Sequence, residues 1–156
     1  MPKVMVVFFG AESPAVSLAE AAADGARAVR FTEVDLRAGP GHNETTQHVH
    51  PRLGSPGALH GYDGIVIACP ALGEIPDALS RLFDDLETTG GATFKDTVFG
   101  VTGGERTTLL GRLSRLGGIM IGEPQGAADP EARATQLGAR VAKVAGWVRH
   151  ALSHEH

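Results

Sequence analysis

Cys69, the only cysteine, ends the apolar run Gly64-Ile65-Val66-Ile67-Ala68-Cys69. A thiol of depressed pKa at a strand end can act as a nucleophile. Phosphoryl transfer through it would need an arginine closing the next loop six positions on, where Ile75 stands, so a core cysteine is the better reading. Holding Mg²⁺ at strand ends takes a cluster of carboxylates, and only Glu12 stands near the first apolar run. His42, His48, His50 and His60 share one polar stretch, and His48-x-His50 could bring two imidazoles to one metal. Neither cysteine nor well-spaced acid completes that set, so no metal site is expected. His150, His154 and His156 read as a solvated helix end, where protonated imidazole favours the helix dipole. Gly10-Ala11-Glu12-Ser13-Pro14-Ala15 links a strand-like run to a helix-like one. Free N–H groups at such a junction can hold a phosphate. Here there is one hydroxyl, at Ser13, while Pro14 lacks a donor and Glu12 adds a carboxylate, so a plain turn and an anion site both stay open.

These positions need elements to carry them. Val4-Met5-Val6-Val7-Phe8-Phe9 and Gly64 to Cys69 are unbroken apolar runs, the pattern of parallel strands covered on both faces. Val29 to Leu36 alternates loosely as an edge strand, Thr97 to Thr102 is a fourth strand and Ile119 to Ile121 a fifth. Helices are expected from about Pro14 to Ala28, Pro76 to Glu87, Glu105 to Leu116, and from Pro130 with Asp129 as cap. Leu137, Val141, Val144, Val148 and Leu152 form the last helix's apolar stripe, with Trp147 beside it, against the sheet or in a subunit contact. Arg37 to Gly61 has no period and reads as a long loop, either solvated or a flap over a site. Strands alternating with helices give a three-layer α/β/α sandwich with a five-stranded parallel sheet of order 2-1-3-4-5. Ligands then bind beyond the carboxyl ends of strands one and three.

The composition narrows the class. The 156 residues suit a single domain over 1–156, and 42% hydrophobic with 21% charged residues is ordinary for a globular chain. Lysine and arginine number 14 against 18 acids, 14 − 18 = −4, which offers nucleic acid or anionic lipid no general attraction. A lone cysteine makes no internal disulfide, and no apolar stretch nears the roughly 20 residues of a membrane span. The expected setting is cytoplasmic, with no membrane or nucleic-acid partner.

Two segments carry a resemblance. One is Cys69-Pro70-Ala71-Leu72-Gly73-Glu74-Ile75-Pro76 followed by Leu79, Phe83 and Asp84. The other is Gly103-Gly104-Glu105-Arg106-Thr107-Thr108-Leu109-Leu110, with Gly118-Ile119-Met120-Ile121-Gly122 after it. They resemble the flavodoxin-like NAD(P)H:quinone oxidoreductases, once called Trp-repressor-binding proteins, and the likeness spans Val4 to Leu152. It implies a flavodoxin-like fold and an FMN enzyme, a dimer or tetramer, that passes two electrons from NAD(P)H to small quinones. By position, Gly10, Ala11, Glu12, Ser13, Pro14 and Ala15 would face the FMN phosphate. Ala71, Leu72 and Gly73, after Pro70, would flank the ring, and Thr102, Gly103, Gly104 and Glu105 would touch its other edge. No side chain is assigned as catalytic acid or base. The loops also depart from the family: Gly10, Ala11 and Glu12 replace hydroxyls, Ala71 and Leu72 replace a threonine and an aromatic, and the third loop lacks an insertion bearing a histidine. Those departures motivate an alternative, a flavin-free relative serving as a binding or regulatory module.

Overall fold

The computed structural model describes residues 1–9, 13–39, 51, 53, 56–69, 77–89, 94–103, 106–123 and 129–154, and the structural statements below concern these residues. Five strands, β1 (Lys3–Phe8), β2 (Glu33–Ala38), β3 (Gly64–Ala68), β4 (Val98–Thr102) and β5 (Ile119–Ile121), pair in parallel in the order β2-β1-β3-β4-β5. The helices are α1 (Ser13–Arg27), α2 (Asp77–Thr89), α3 (Arg106–Arg115) and α4 (Pro130–Ser153), with a short 3₁₀ turn at Pro56–Gly61.

The all-apolar runs form the middle strands because both sheet faces are covered there, and alternate residues feed two separate cores. Val4, Val6, Phe8, Val66, Ala68 and Val98 pack against α1 and α4. Met5, Val7, Ile65, Ile67, Phe99 and Val101 pack against α2, α3 and Leu59 of the 3₁₀ turn. This is the expected α/β/α sandwich. Backbones of α1 and α4 touch directly: a side chain at Gly138 would collide with the Ala22 carbonyl, and one at Gly25 with the Thr135 carbonyl. As expected, Asp129 caps α4, its carboxylate accepting the Glu131 N–H at 3.2 Å, and Pro130 occupies the first turn.

Three expectations need correction. The second strand is Glu33–Ala38, not Val29 to Leu36. Val29 N–H still serves the Ala26 carbonyl at 3.1 Å, so its apolar side chain belongs to the exit of α1, and Phe31 turns the chain at φ 61. Part of the expected Arg37 to Gly61 loop is ordered backbone. Arg37 and Ala38 end β2, and Ala38 bonds the chain returning beside it, donating to the Pro51 carbonyl at 2.8 Å and accepting from Leu53 N–H at 2.7 Å. Residues 40–50, 52, 54 and 55, including His42, His48 and His50, lie outside the described residues. Of the two settings expected for Trp147, packing on the sheet is ruled out by its 68% exposure, which leaves the subunit contact open, and Leu152, at the end of the apolar stripe, is 40% exposed. Among the described residues no helix is long and apolar enough to cross a membrane.

Candidate functional site

Register brings the ends of three strands to one edge. Phe8, Ala68 and Thr102 stand side by side across β1, β3 and β4. One residue further, Phe9 N–H donates to the Ala68 carbonyl and Cys69 N–H to the Thr102 carbonyl, both at 3.0 Å. The three chains therefore leave the sheet at one level, with α1 starting at Ser13 beyond β1. Strand order reverses here, between β1 and β3, where open α/β sheets hold ligands.

Thr102 is the telling residue. Gly100, two positions earlier, faces Leu137 and Val141 of α4, so alternation puts Thr102 on the α1/α4 side of the sheet. Its side chain is 1% exposed, and its Oγ1 has no hydrogen-bond partner among the described residues. Thr32 is the other described residue with such an orphaned side-chain oxygen, and it precedes β2 at the opposite end of the strands. Gly103 follows at φ 76, a left-handed conformation that a side chain would strain. A Cβ there would strike the Cys69 carbonyl and come within 3.0 Å of Leu18 Cδ1. The chain leaving β4 is thus pressed against the end of β3 and the second turn of α1.

Cys69 closes the same edge from β3. It is buried, and burial pushes its thiol up to about 12, so it remains protonated near neutrality, which argues for a core cysteine over a nucleophile. Ala15 is fully buried. Gly10, Ala11, Glu12, Pro70, Ala71, Leu72, Gly73, Gly104 and Glu105 lie outside the described residues, as do the side chains of Ser13 and Pro14. Leu18 was not singled out in the sequence. Its signal is the spacing from Pro14, one helical turn, since long helical side chains lean back toward the amino end.

Other groups are accounted for elsewhere. His60 is stacked on the Phe94 ring, centroids 4.6 Å apart, below the sheet's opposite end. Among the described residues no three His, Cys, Asp or Glu side chains come together as a metal site would require. A groove of about 450 Å³ lies along the outer edge of β2, lined by Glu20, Asp24, Arg27, Asp35, Arg37 and Pro51 among others, away from the switch point. Within it Arg27 pairs with Asp24 and Arg37 with Asp35.

No protein-family model and no curated protein matches the chain. Solved structures do. A short-chain flavodoxin associated with a bacterial microcompartment superposes with a TM-score of 0.67 at 18% identity, over 93% of this chain and 99% of that one. A flavone reductase gives 0.69 at 18% identity, over 96% of this chain and 65% of that one. An NAD(P)H:quinone oxidoreductase from Methanothermobacter marburgensis gives 0.57 at 15% identity, over 91% and 98%. The chain has the flavodoxin-like fold, the fold that the first of these neighbours carries in its name.

Proposed function

We propose that this chain is an FMN-dependent oxidoreductase of the NAD(P)H:quinone reductase type, reducing small quinones by two electrons at the β1/β3 switch point. The observation that supports this most directly is the Thr102 hydroxyl. A buried polar group without a partner costs free energy, and this one lies at the strand end where flavodoxin-like sheets receive ligands. The residues present fit FMN in kind: a buried hydroxyl, the opening turn of α1, and at Gly103 a backbone with no side chain to crowd the space.

FMN, when bound, supplies a ring that accepts a hydride and passes electrons on. The chain's part is to bind and orient. Thr102 Oγ1 would hydrogen-bond the cofactor or its bound water, α1's first turn would stabilise negative charge, and Gly103 would let backbone approach closely. Cys69 stays a neutral thiol and adds no competing nucleophile. The reading also takes NAD(P)H as co-substrate, one domain over 1–156, a homo-oligomer and a cytoplasmic setting, on the strength of the family resemblance and composition.

The test is a titration of the purified chain with FMN, followed by quenching of flavin fluorescence, then NAD(P)H oxidation with benzoquinone with and without FMN. Saturable one-to-one binding with FMN-dependent turnover supports the proposal. A chain that ignores FMN across the range overturns it and leaves the flavin-free binding module.

A further inference from the structure

Among the described residues four large hydrophobic side chains are markedly exposed: Met1 at 59%, Phe31 at 71%, Trp147 at 68% and Leu152 at 40%. They gather at the end of the sheet where the strands begin, opposite the switch point. Met1 precedes β1 and Phe31 precedes β2, and Glu33 N–H donates to the Pro2 carbonyl at 3.0 Å, tying the two starts together. Trp147 follows Gly146, whose backbone lies against the Pro2 ring, a Cβ there being 3.7 Å from Cγ. Arg149, one turn before the end of α4, reaches Asp63 at the start of β3. Phe31 is held outward at φ 61, where a bulky residue is an outlier that the surrounding structure must enforce.

Charge at this corner differs from the net −4 of the chain. Three of its acids are engaged, Asp24 with Arg27 at 3.6 Å, Glu33 with Lys3 at 3.9 Å and Asp63 with Arg149 at 3.1 Å, which leaves Asp96, just before β4, as an acid with no cationic partner among the described residues. The surplus is cationic. Arg30 sits over the Phe31 ring at 5.6 Å, and α4's outward stripe runs Arg140, Lys143, Trp147, His150, His154 at helical spacing. None of Arg30, Arg140 and Lys143 has a carboxylate partner among the described residues.

We propose, in place of the expectation from net charge that there is no membrane partner, that this corner docks on an anionic lipid bilayer, with Trp147 and Phe31 entering the interface and Arg30, Arg140 and Lys143 meeting headgroup phosphates. Tryptophan and phenylalanine tips set among Lys and Arg have the composition of interfacial anchors. A second copy is the poorer occupant, because apposing this stripe to itself brings Arg140 and Lys143 against their like. Docked this way, the switch-point edge stands about 20 Å further from the bilayer, the length of a six-residue strand, and faces water. The inference does not depend on FMN binding.

Trp147 is the only tryptophan, so its emission reports this surface alone. The full chain is titrated with phosphatidylcholine vesicles, with and without about 30% phosphatidylglycerol, at about 50 mM salt. The expected result is a blue shift with the anionic vesicles only, quenched by lipids brominated in the acyl chain. Lys143→Ala and Arg140→Ala should each weaken binding roughly fivefold. Phe31→Gly should weaken it too while raising the melting temperature, because glycine accepts φ 61 without strain; that separates docking from folding. Unchanged Trp147 emission with anionic vesicles overturns the proposal. So does a blue shift that appears without lipid as protein concentration rises, which means a second copy. A shift produced equally by polyglutamate, with no quenching by brominated lipid, means an acidic protein surface and likewise overturns it.

Discussion

Thr102→Val should move two measurements in opposite directions. The hydroxyl is 1% exposed and unpaired among the described residues, and leaving such a group buried costs about 1–3 kcal/mol. Valine keeps nearly the same shape and removes that cost, so the flavin-free protein should gain about 1 kcal/mol, raising its melting temperature by about 2–4 °C for a chain of this size. On the proposed reading, FMN binding gives the hydroxyl its partner and the cost is recovered. Valine forfeits that recovery, and at about 1.4 kcal/mol per tenfold the affinity should fall about five- to hundredfold. Thr102→Ser makes the complement: it keeps the hydroxyl and FMN affinity but loses a buried methyl, costing about 1 kcal/mol in the flavin-free state. The assay pairs thermal melts of flavin-free protein with FMN fluorescence titrations of all three forms. A valine variant that melts several degrees lower would mean the hydroxyl is already bonded in the free protein. One that binds FMN as tightly as the parent would remove Thr102 from the site.

Three further outcomes follow from the packing and titration of other groups. Gly138→Ala pushes a methyl into the Ala22 carbonyl, and as both are main-chain positions neither yields cheaply; stability should drop by about 1–3 kcal/mol, read from urea midpoints, and an unchanged midpoint would mean that α1 and α4 are not in that contact. Tyr62 is raised from 10.0 to about 12, first by burial and then by its 2.5 Å hydrogen bond to Asp35. The folded state therefore holds that proton more tightly than the unfolded chain; the stabilisation is complete below pH 10 and lost as pH climbs toward 12. Tyr62→Phe should flatten that alkaline loss, leaving the shared contribution of Cys69, and a variant whose urea midpoint falls as steeply as the parent's contradicts the assignment. The Cys69 thiol should resist an aromatic disulfide reagent at about pH 8 in the native protein and react at once in denaturant; rapid native labelling would place it at the surface.

Much of the fold could be read from the chain because its elements obey one period at a time. In β3, Gly64 to Ala68 are all buried, so residue type and environment agree at every position and the apolar run finds the strand. In β2 they part company. Val29 and Phe31 have strand-forming side chains, yet Val29 still donates to a carbonyl of α1 and Phe31 stands in solvent at φ 61; backbone bonding outweighed propensity and moved the strand four residues on. The switch point was legible, since topology alone places the ends of β1, β3 and β4 side by side, while the loops beyond them lie largely outside the described residues. What the pattern does not convey is which member of a loop is out of keeping with its surroundings. Thr102 is a hydroxyl at the end of an otherwise apolar strand, and only its register beside Ala68 and its burial on the helix-covered face show that it is sealed from water. Trp147 is the converse, an aromatic adjoining a helix's apolar stripe that proves to face outward among Arg140, Lys143 and His150. Periodicity detects positions where type and burial coincide, and folding needs most positions to be of that kind. Binding draws on the remainder, the polar group inside and the apolar group outside, because an unmet bond or an uncovered ring is what a ligand or a surface can still satisfy.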